Sequence, residues 1–320
     1  MNRLLSRFAL ACAAALLLPA AAGGAPLITP AELAARLAEP GLRVIDIRAG
    51  TDNAGRTPYE VGHIAGSLPA PYPTWRGPAD NPGALPAAAA LAQRLQSLGI
   101  GADTPVVIVY EGRDATDFGA AARVYWTLKA HGVRQPSILN GGVRAWQDAG
   151  QSLVTGAAPA VTPSDFVPQP DPRLIATRDD VQQALQHGRS LLLDARSARY
   201  FRGETRHAAA ARPGTIAGSR NVDNAVWFAA DSATLLAPAA VKEIATAQGI
   251  DTTQPTVSFC NTGHWAATNW FVLSEVLGQQ NVSLYPASLV EWSRTGGAMD
   301  NVPGRLVQFW LQLKEATGTL

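Results

Sequence analysis

The order of segments in residues 42–146 is written a second time, about 150 residues later, in residues 191–292. The apolar run Leu42–Arg48 ends in Asp46-Ile47-Arg48, and Leu191–Arg196 ends in Asp194-Ala195-Arg196. His63-Ile64-Ala65-Gly66-Ser67 is answered by Thr215-Ile216-Ala217-Gly218-Ser219, and Trp146 by Trp292. A period this long is a duplicated domain, not a solenoid repeat. The chain must therefore build two similar cores, for which 47% hydrophobic content is ample.

Within each copy, apolar runs of strand length alternate with helical periodicities. A helix start at Thr29, Pro30 and Glu32 leads into the first strand, and a helix is expected around Ala87–Leu98. A second strand, Val106–Tyr110, is followed by a loop over Glu111–Gly119 and a helix through His131. A third, Ser137–Leu139, precedes Asn140-Gly141-Gly142 and a helix containing Trp146. This alternation predicts an α/β fold, each copy a mostly parallel central sheet flanked by helices. The domains are expected at 27–155 and 173–302, with a tail over 303–320. Between them, 156–172 holds five prolines and reads as an extended surface linker.

The first 22 residues read as an export signal: Arg3 and Arg7 precede the apolar stretch Phe8–Leu18, and Ala20 and Ala22 offer a cleavage site, with cutting as late as residue 25 an alternative. The apolar stretch is too short to span a bilayer. An exported, in a Gram-negative source periplasmic, protein with no membrane association after signal removal is expected. Cleavage removes Cys12 and two arginines, taking the formal charge from +1 to −1 and leaving one cysteine, Cys260. Near-neutrality gives no reason to expect nucleic acid as a partner.

Cys260 follows the apolar strand Thr256–Phe259, and Ala266, Trp270, Leu273 and Leu277 then recur at helical spacing up to Gly278. A thiol in such a strand-to-helix loop, Cys260 to Trp265, sits over unpaired backbone N–H groups and the positive end of a helix dipole, which favour a thiolate. With no partner for a disulfide, the thiol is either apolar filler or a reactive group, and the loop argues for the second.

Taken together, Asp194-Ala195-Arg196, the segment Gly214–Asn221 and the loop after the strand resemble a tandem-domain rhodanese over nearly the whole mature chain. The resemblance implies an inactive N-terminal copy and a C-terminal copy whose cysteine carries a persulfide. It implies a sulfurtransferase of the thiosulfate or 3-mercaptopyruvate type, with no cofactor or metal, an anionic sulfur donor and a thiol or cyanide acceptor. Cys260 is the nucleophile, and Asn261, Thr262, Gly263, His264 and Trp265 form the loop around it. Thr262 and Gly263 fit the mercaptopyruvate-type pattern, whereas Asn261, His264 and Trp265 depart from it. His264 either lines the pocket, protonates a leaving group or faces solvent. Trp265 either floors the pocket or packs between domains. The family's donor-binding arginine aligns with Tyr200, so that contact is missing or passes to Arg199; a second one corresponds to Arg206 or Arg212. Arg196 reads as a structural ion-pair residue. His63 matches a histidine brought to the domain interface, where it either pairs with Thr262 or only fixes its own turn. Glu111 stands where the first copy would need its nucleophile.

The loop lacks the terminal arginine of a phosphatase loop, Ala266 standing after Trp265, and one cysteine with scattered histidines offers no metal-ligand spacing. Two other classes stay open: a silent binding module and a thiol redox sensor.

Overall fold

A computed structural model describes residues 24–304, 306 and 307. The expected export signal, 1–22, and most of the tail lie outside the described residues. The first domain runs β1 (Leu27–Ile28), α1 (Pro30–Arg36), β2 (Arg43–Asp46), α2 (Pro58–Val61), β3 (Leu68–Pro69), α3 (Ala88–Ser97), β4 (Pro105–Val109), α4 (Ala115–Ala130), β5 (Gln135–Leu139) and α5 (Gly142–Asp148). The second runs α6 (Arg178–His187), β6 (Leu191–Asp194), α7 (Ala198–Phe201), β7 (Thr215–Ile216), β8 (Arg220–Asn221), α8 (Pro238–Ala247), β9 (Thr256–Phe259), α9 (Trp265–Phe271), β10 (Val282–Leu284), α10 (Ser288–Arg294) and β11 (Met299–Asp300).

Local sequence sets the element starts. Thr29 and Glu32 close a capping box on α1, as do Thr57 and Glu60 on α2 and Thr177 and Asp180 on α6. Helix α4 begins at Ala115, earlier than the loop expected through Gly119, because the Asp114 carboxylate accepts from Asp117 N–H and caps the helix there.

The first sheet has the order β1-β5-β4-β2-β3 and the second β10-β9-β6-β8, with every pairing in both parallel. The pleat sends alternate side chains to opposite faces. Val44, Val107 and Val109 therefore meet Leu33 and Trp146 on one side of the first sheet, while Ile45, Val106 and Ile108 face the other. In the second domain Leu192, Val257 and Phe259 meet Val181 and Trp292, and Leu191 and Leu193 face inward. The inward faces of both sheets belong to one continuous apolar cluster, with α4 packed on α9 inside it. Phe118 of α4 meets Phe271 edge-on at 5.6 Å, and Tyr125 meets the same ring at 4.9 Å. Such pairs add about 0.5–1.5 kcal/mol each to the burial of their area. After α9 the chain widens into a π-helical turn, Val272–Val276, whose Glu275 accepts from Lys129 Nζ and Tyr125 OH, both at 2.6 Å. The segment 156–172 crosses the surface without regular structure and is tied to the first domain, Ser164 N–H donating to Gln96 O and Gln169 N–H to His131 O.

The duplication holds bond by bond. Arg48 grips Asp46 and donates to Gly62 O at 2.6 Å, and Arg196 grips Asp194 and donates to Gly214 O at 2.7 Å. One expectation shifts by a residue. Asp46 lies beside Val109 and Asp194 beside Phe259, so the counterpart of Cys260 is Tyr110, and Glu111 answers Asn261. The bonds Val143 N–H to Tyr110 O and Leu289 N–H to Cys260 O repeat the match. Tyr110 is as unable as Glu111 to hold a persulfide.

Candidate active site

Strand β9 ends at Phe259 and delivers Cys260 into the core, 1% exposed. The loop that follows turns its carbonyls outward. Cys260 O and Asn261 O accept from Leu289 N–H and Val290 N–H at the start of α10, both at 3.1 Å. Gly263 O and Thr262 O accept from Arg123 Nη1 at 3.2 and 3.4 Å, and Asn261 Oδ1 accepts from Arg196 Nη1 at 3.1 Å. Cys260 N–H donates to Ser288 Oγ at 3.1 Å. The N–H groups of Asn261 through Ala266 have no protein acceptor among the described residues. A loop with its carbonyls engaged outside and its amides unpaired is a nest for an anion, at the N-terminal end of α9.

Gly263 makes this curvature possible. Its φ is +65°, which glycine adopts without a Cβ penalty, and a Cβ there would overlap Arg123 Nη1 and lie 2.5 Å from Pro286 O. Ser288 adopts φ +53° where the first copy has Gly142 at +64°. Its hydroxyl bridges Tyr285 O and Cys260 N–H, so the second copy accepts backbone strain in exchange for fixing the cysteine amide.

Arg123 is a site residue that the sequence signals only as a cation within a largely apolar helical stretch. It projects from α4 of the first domain, is fully buried, and touches no carboxylate among the described residues. Its Nη2 donates to Gly83 O at 2.8 Å, so one guanidinium ties the 83–84 turn of the first domain to the cysteine loop of the second. Burial, followed by the charge of Arg76, brings its pKa down to about 9, which leaves it cationic at neutral pH.

His264 is half-buried and lines a pocket together with Tyr72 and Thr116, and both of its ring nitrogens are engaged. Its Nε2 lies 2.7 Å from Thr116 O and its Nδ1 2.7 Å from Tyr72 OH. The carbonyl fixes the proton on Nε2, so Tyr72 donates to Nδ1 and accepts from Arg76 Nη1 at 2.8 Å. Burial and the charge of Arg76 push the His264 pKa down to about 4, and the ring stays neutral. Trp265 takes the interdomain alternative, Nε1 donating to Thr116 Oγ1 at 3.2 Å and the ring meeting Tyr200 edge-on at 5.8 Å.

His63 stays in its own turn: Nδ1 lies 2.8 Å from Tyr59 O, the ring stacks on Tyr59 at 3.7 Å, and no hydrogen bond joins it to Thr262. Arg199 is exposed and pairs with Glu204 at 3.8 Å, Arg206 donates to Ala210 O, and Arg212 donates to Gly297 O. Tyr200 lies under the Arg196 guanidinium at 5.7 Å. Arg196 is the structural ion-pair residue, bidentate on buried Asp194, but it also orients Asn261. Arg196, Arg199 and Arg212 are thus engaged by protein acceptors, and the cations without a carboxylate partner near the cysteine loop come from the other domain.

Two parallel α/β copies, one carrying a lone cysteine in an amide-lined strand-to-helix loop, define a cysteine-loop protein of duplicated design. The rhodanese-like domain matches residues 29–149 and again 177–295, and the chain belongs to the rhodanese family. It is 32% identical over 210 residues to the 3-mercaptopyruvate sulfurtransferase of Rattus norvegicus, covering 65% of this chain and 69% of the relative. It is 30% identical over 250 residues to putative thiosulfate sulfurtransferase 1 of Mycobacterium bovis, covering 75% and 86%. Among solved structures, SseA from Escherichia coli, a 3-mercaptopyruvate sulfotransferase with the rhodanese fold, superposes with a TM-score of 0.71 at 25% identity, covering 82% of this chain and 98% of SseA.

Proposed function

We propose that the protein is a sulfurtransferase that carries sulfane sulfur on Cys260, drawn from an anionic donor of the thiosulfate or 3-mercaptopyruvate class. The observation that supports this most is the run of unpartnered amides from Asn261 to Ala266 around a lone cysteine. These amides suit a thiolate and the anionic persulfide that follows, and they need no metal to do so.

With thiosulfate, the Cys260 thiolate attacks the outer sulfur, the S–S bond to the sulfonate breaks, and sulfite departs with the electron pair. With 3-mercaptopyruvate, attack on the thiol sulfur breaks the C–S bond; the leaving enolate takes up the thiol proton and becomes pyruvate. Either way Cys260 holds Cys–S–S⁻, and an acceptor thiolate or cyanide attacks its outer sulfur and regenerates the Cys260 thiolate. The first domain, with Tyr110 at the matching position, acts as a wall of the site. The segment 1–22 serves as an export signal in this reading, placing the mature protein in the periplasm of a Gram-negative source. Among the described residues no helix is long and apolar enough to cross a membrane.

Incubation with either donor is expected to add one sulfur atom to Cys260 by intact mass, removable by cyanide and absent in Cys260→Ser. No adduct from either donor would sink the reading. Names of relatives and the amide nest both favour transfer over a silent binding module or a redox sensor.

A further inference from the structure

The donor class in this reading is anionic, yet the arginines expected to bind it are turned to other work. Arg199 pairs with Glu204, Arg212 with Gly297 O, and the position of the expected arginine is Tyr200. A different cation stands at the cysteine loop. Arg76 of the first domain is half-buried, and among the described residues its side chain has no carboxylate within 4.0 Å and makes one hydrogen bond, to Tyr72 OH at 2.8 Å. Its guanidinium lies 5.3 Å from the Tyr72 ring centroid. Tyr72 OH in turn donates to His264 in the cysteine loop. Arg76 also opens the segment whose far end, Gly83, covers that loop: a Cβ on Gly83 would lie 3.0 Å from Thr262 Cα. Arg76 and Arg123 therefore flank the loop as two cations without a carboxylate partner, Arg123 sealed beneath it and Arg76 partly open.

Arg123 is committed through Nη1 and Nη2 to loop carbonyls. Arg76 keeps most of its donor fork unused, and a guanidinium fork matches a carboxylate or sulfonate with two parallel hydrogen bonds. We propose that Arg76, supplied by the catalytically silent domain, is the residue that recognises the anionic group of the sulfur donor. This rests on the transfer reading above. Tyr72 and His264 set its position: neutral His264 accepts a hydrogen bond from Tyr72 OH, which leaves the Tyr72 oxygen to hold Arg76 from one side. Tyr72 and Arg123 both lie within electrostatic range of Arg76 and of Cys260, which places the two groups around the same pair of side chains.

The test uses reagents that differ only in charge. Cys260 in the full chain is alkylated with iodoacetate and with iodoacetamide, and the rates are read by peptide mapping at Cys260. In Arg76→Met the ratio of the iodoacetate to the iodoacetamide rate is expected to fall roughly 10- to 100-fold, the loss of a charge-assisted bidentate contact. Arg76→Lys should recover part of it. Half-saturation by 3-mercaptopyruvate in sulfur loading should rise in parallel. Equal slowing with both reagents would reduce Arg76 to a loop support and overturn the proposal, as would an unchanged ratio in Arg76→Met or an equal fall in Arg199→Met. If the ratio falls as expected but the unaltered protein takes up no sulfur from any donor, Arg76 stands as an anion receptor and the transfer reading fails.

Discussion

Replacing Gly263 by alanine should be among the most damaging single-atom-scale changes available outside the cysteine itself. Two costs add. Alanine at φ +65° loses about 1–2 kcal/mol relative to its preferred backbone regions. Its Cβ would also overlap Arg123 Nη1 and press on Pro286 O at 2.5 Å, backbone that cannot swing aside. Arg123 must then withdraw from Gly263 O and Thr262 O, and disturbing a buried charged hydrogen bond costs about 1.5–3 kcal/mol. The total is about 2.5–5 kcal/mol. Gly218→Ala isolates the first cost, because Gly218 has φ +67° and open space where a Cβ would stand. Urea unfolding of the two variants measures the difference, and Cys260 alkylation by iodoacetamide reports the loop. In an Arg123→Met background the added cost of Gly263→Ala should shrink toward that of Gly218→Ala, a coupling that a double-mutant cycle reads directly. Equal losses in Gly263→Ala and Gly218→Ala would refute the steric argument.

Two further outcomes follow from the interface. His264 is neutral in the folded chain down to about pH 4 but takes a proton near pH 6.5 when unfolded, so the unfolded state binds more protons between those values. Stability is fully present above pH 6.5 and declines as pH falls toward 4. His131 and His207 act with the same sign, and His264→Gln should flatten only its own share of the urea-midpoint slope; an unaltered slope would contradict the assignment. Glu275 is nearly buried between Lys129 and Tyr125, and Glu275→Ala should cost about 2–4 kcal/mol in urea unfolding by leaving a half-buried lysine and a buried hydroxyl without their acceptor; a loss below about 0.5 kcal/mol would count against that contact.

What could be read in advance was whatever lies close along the chain. Thr29 and Glu32 are three residues apart and announce a cap; Thr256 to Cys260 is a strand followed by its loop; the Asp-x-Arg pairs repeat because each arginine bonds the aspartate two residues before it. The one-residue error at Glu111 arose because sequence marks where an apolar run stops, whereas pairing with Asp46 ends β4 at Val109 and sends Tyr110 into the core. Alignment with the family places a donor-binding role on Arg199, but alignment says nothing of where a side chain points, and Arg199 pairs with Glu204. Arg123 carried one faint cue, a cation inside the otherwise apolar helical stretch Phe118–Leu128. Its partners Gly83 and Gly263 lie 40 and 140 residues away, a separation no local pattern reports.

The clamp made by Arg123 bears on how damage would spread through the molecule. A map of tolerance to substitution would show two sensitive zones for activity, the loop after Phe259 and the middle of α4, although the second belongs to the half without the cysteine. Gly119 extends that zone, since a Cβ there would lie 3.0 Å from the His264 ring. The C-terminal half expressed by itself would keep its cysteine but lose the floor beneath its loop, and co-expression with the N-terminal half would restore reactivity only where α4 and α9 find each other again.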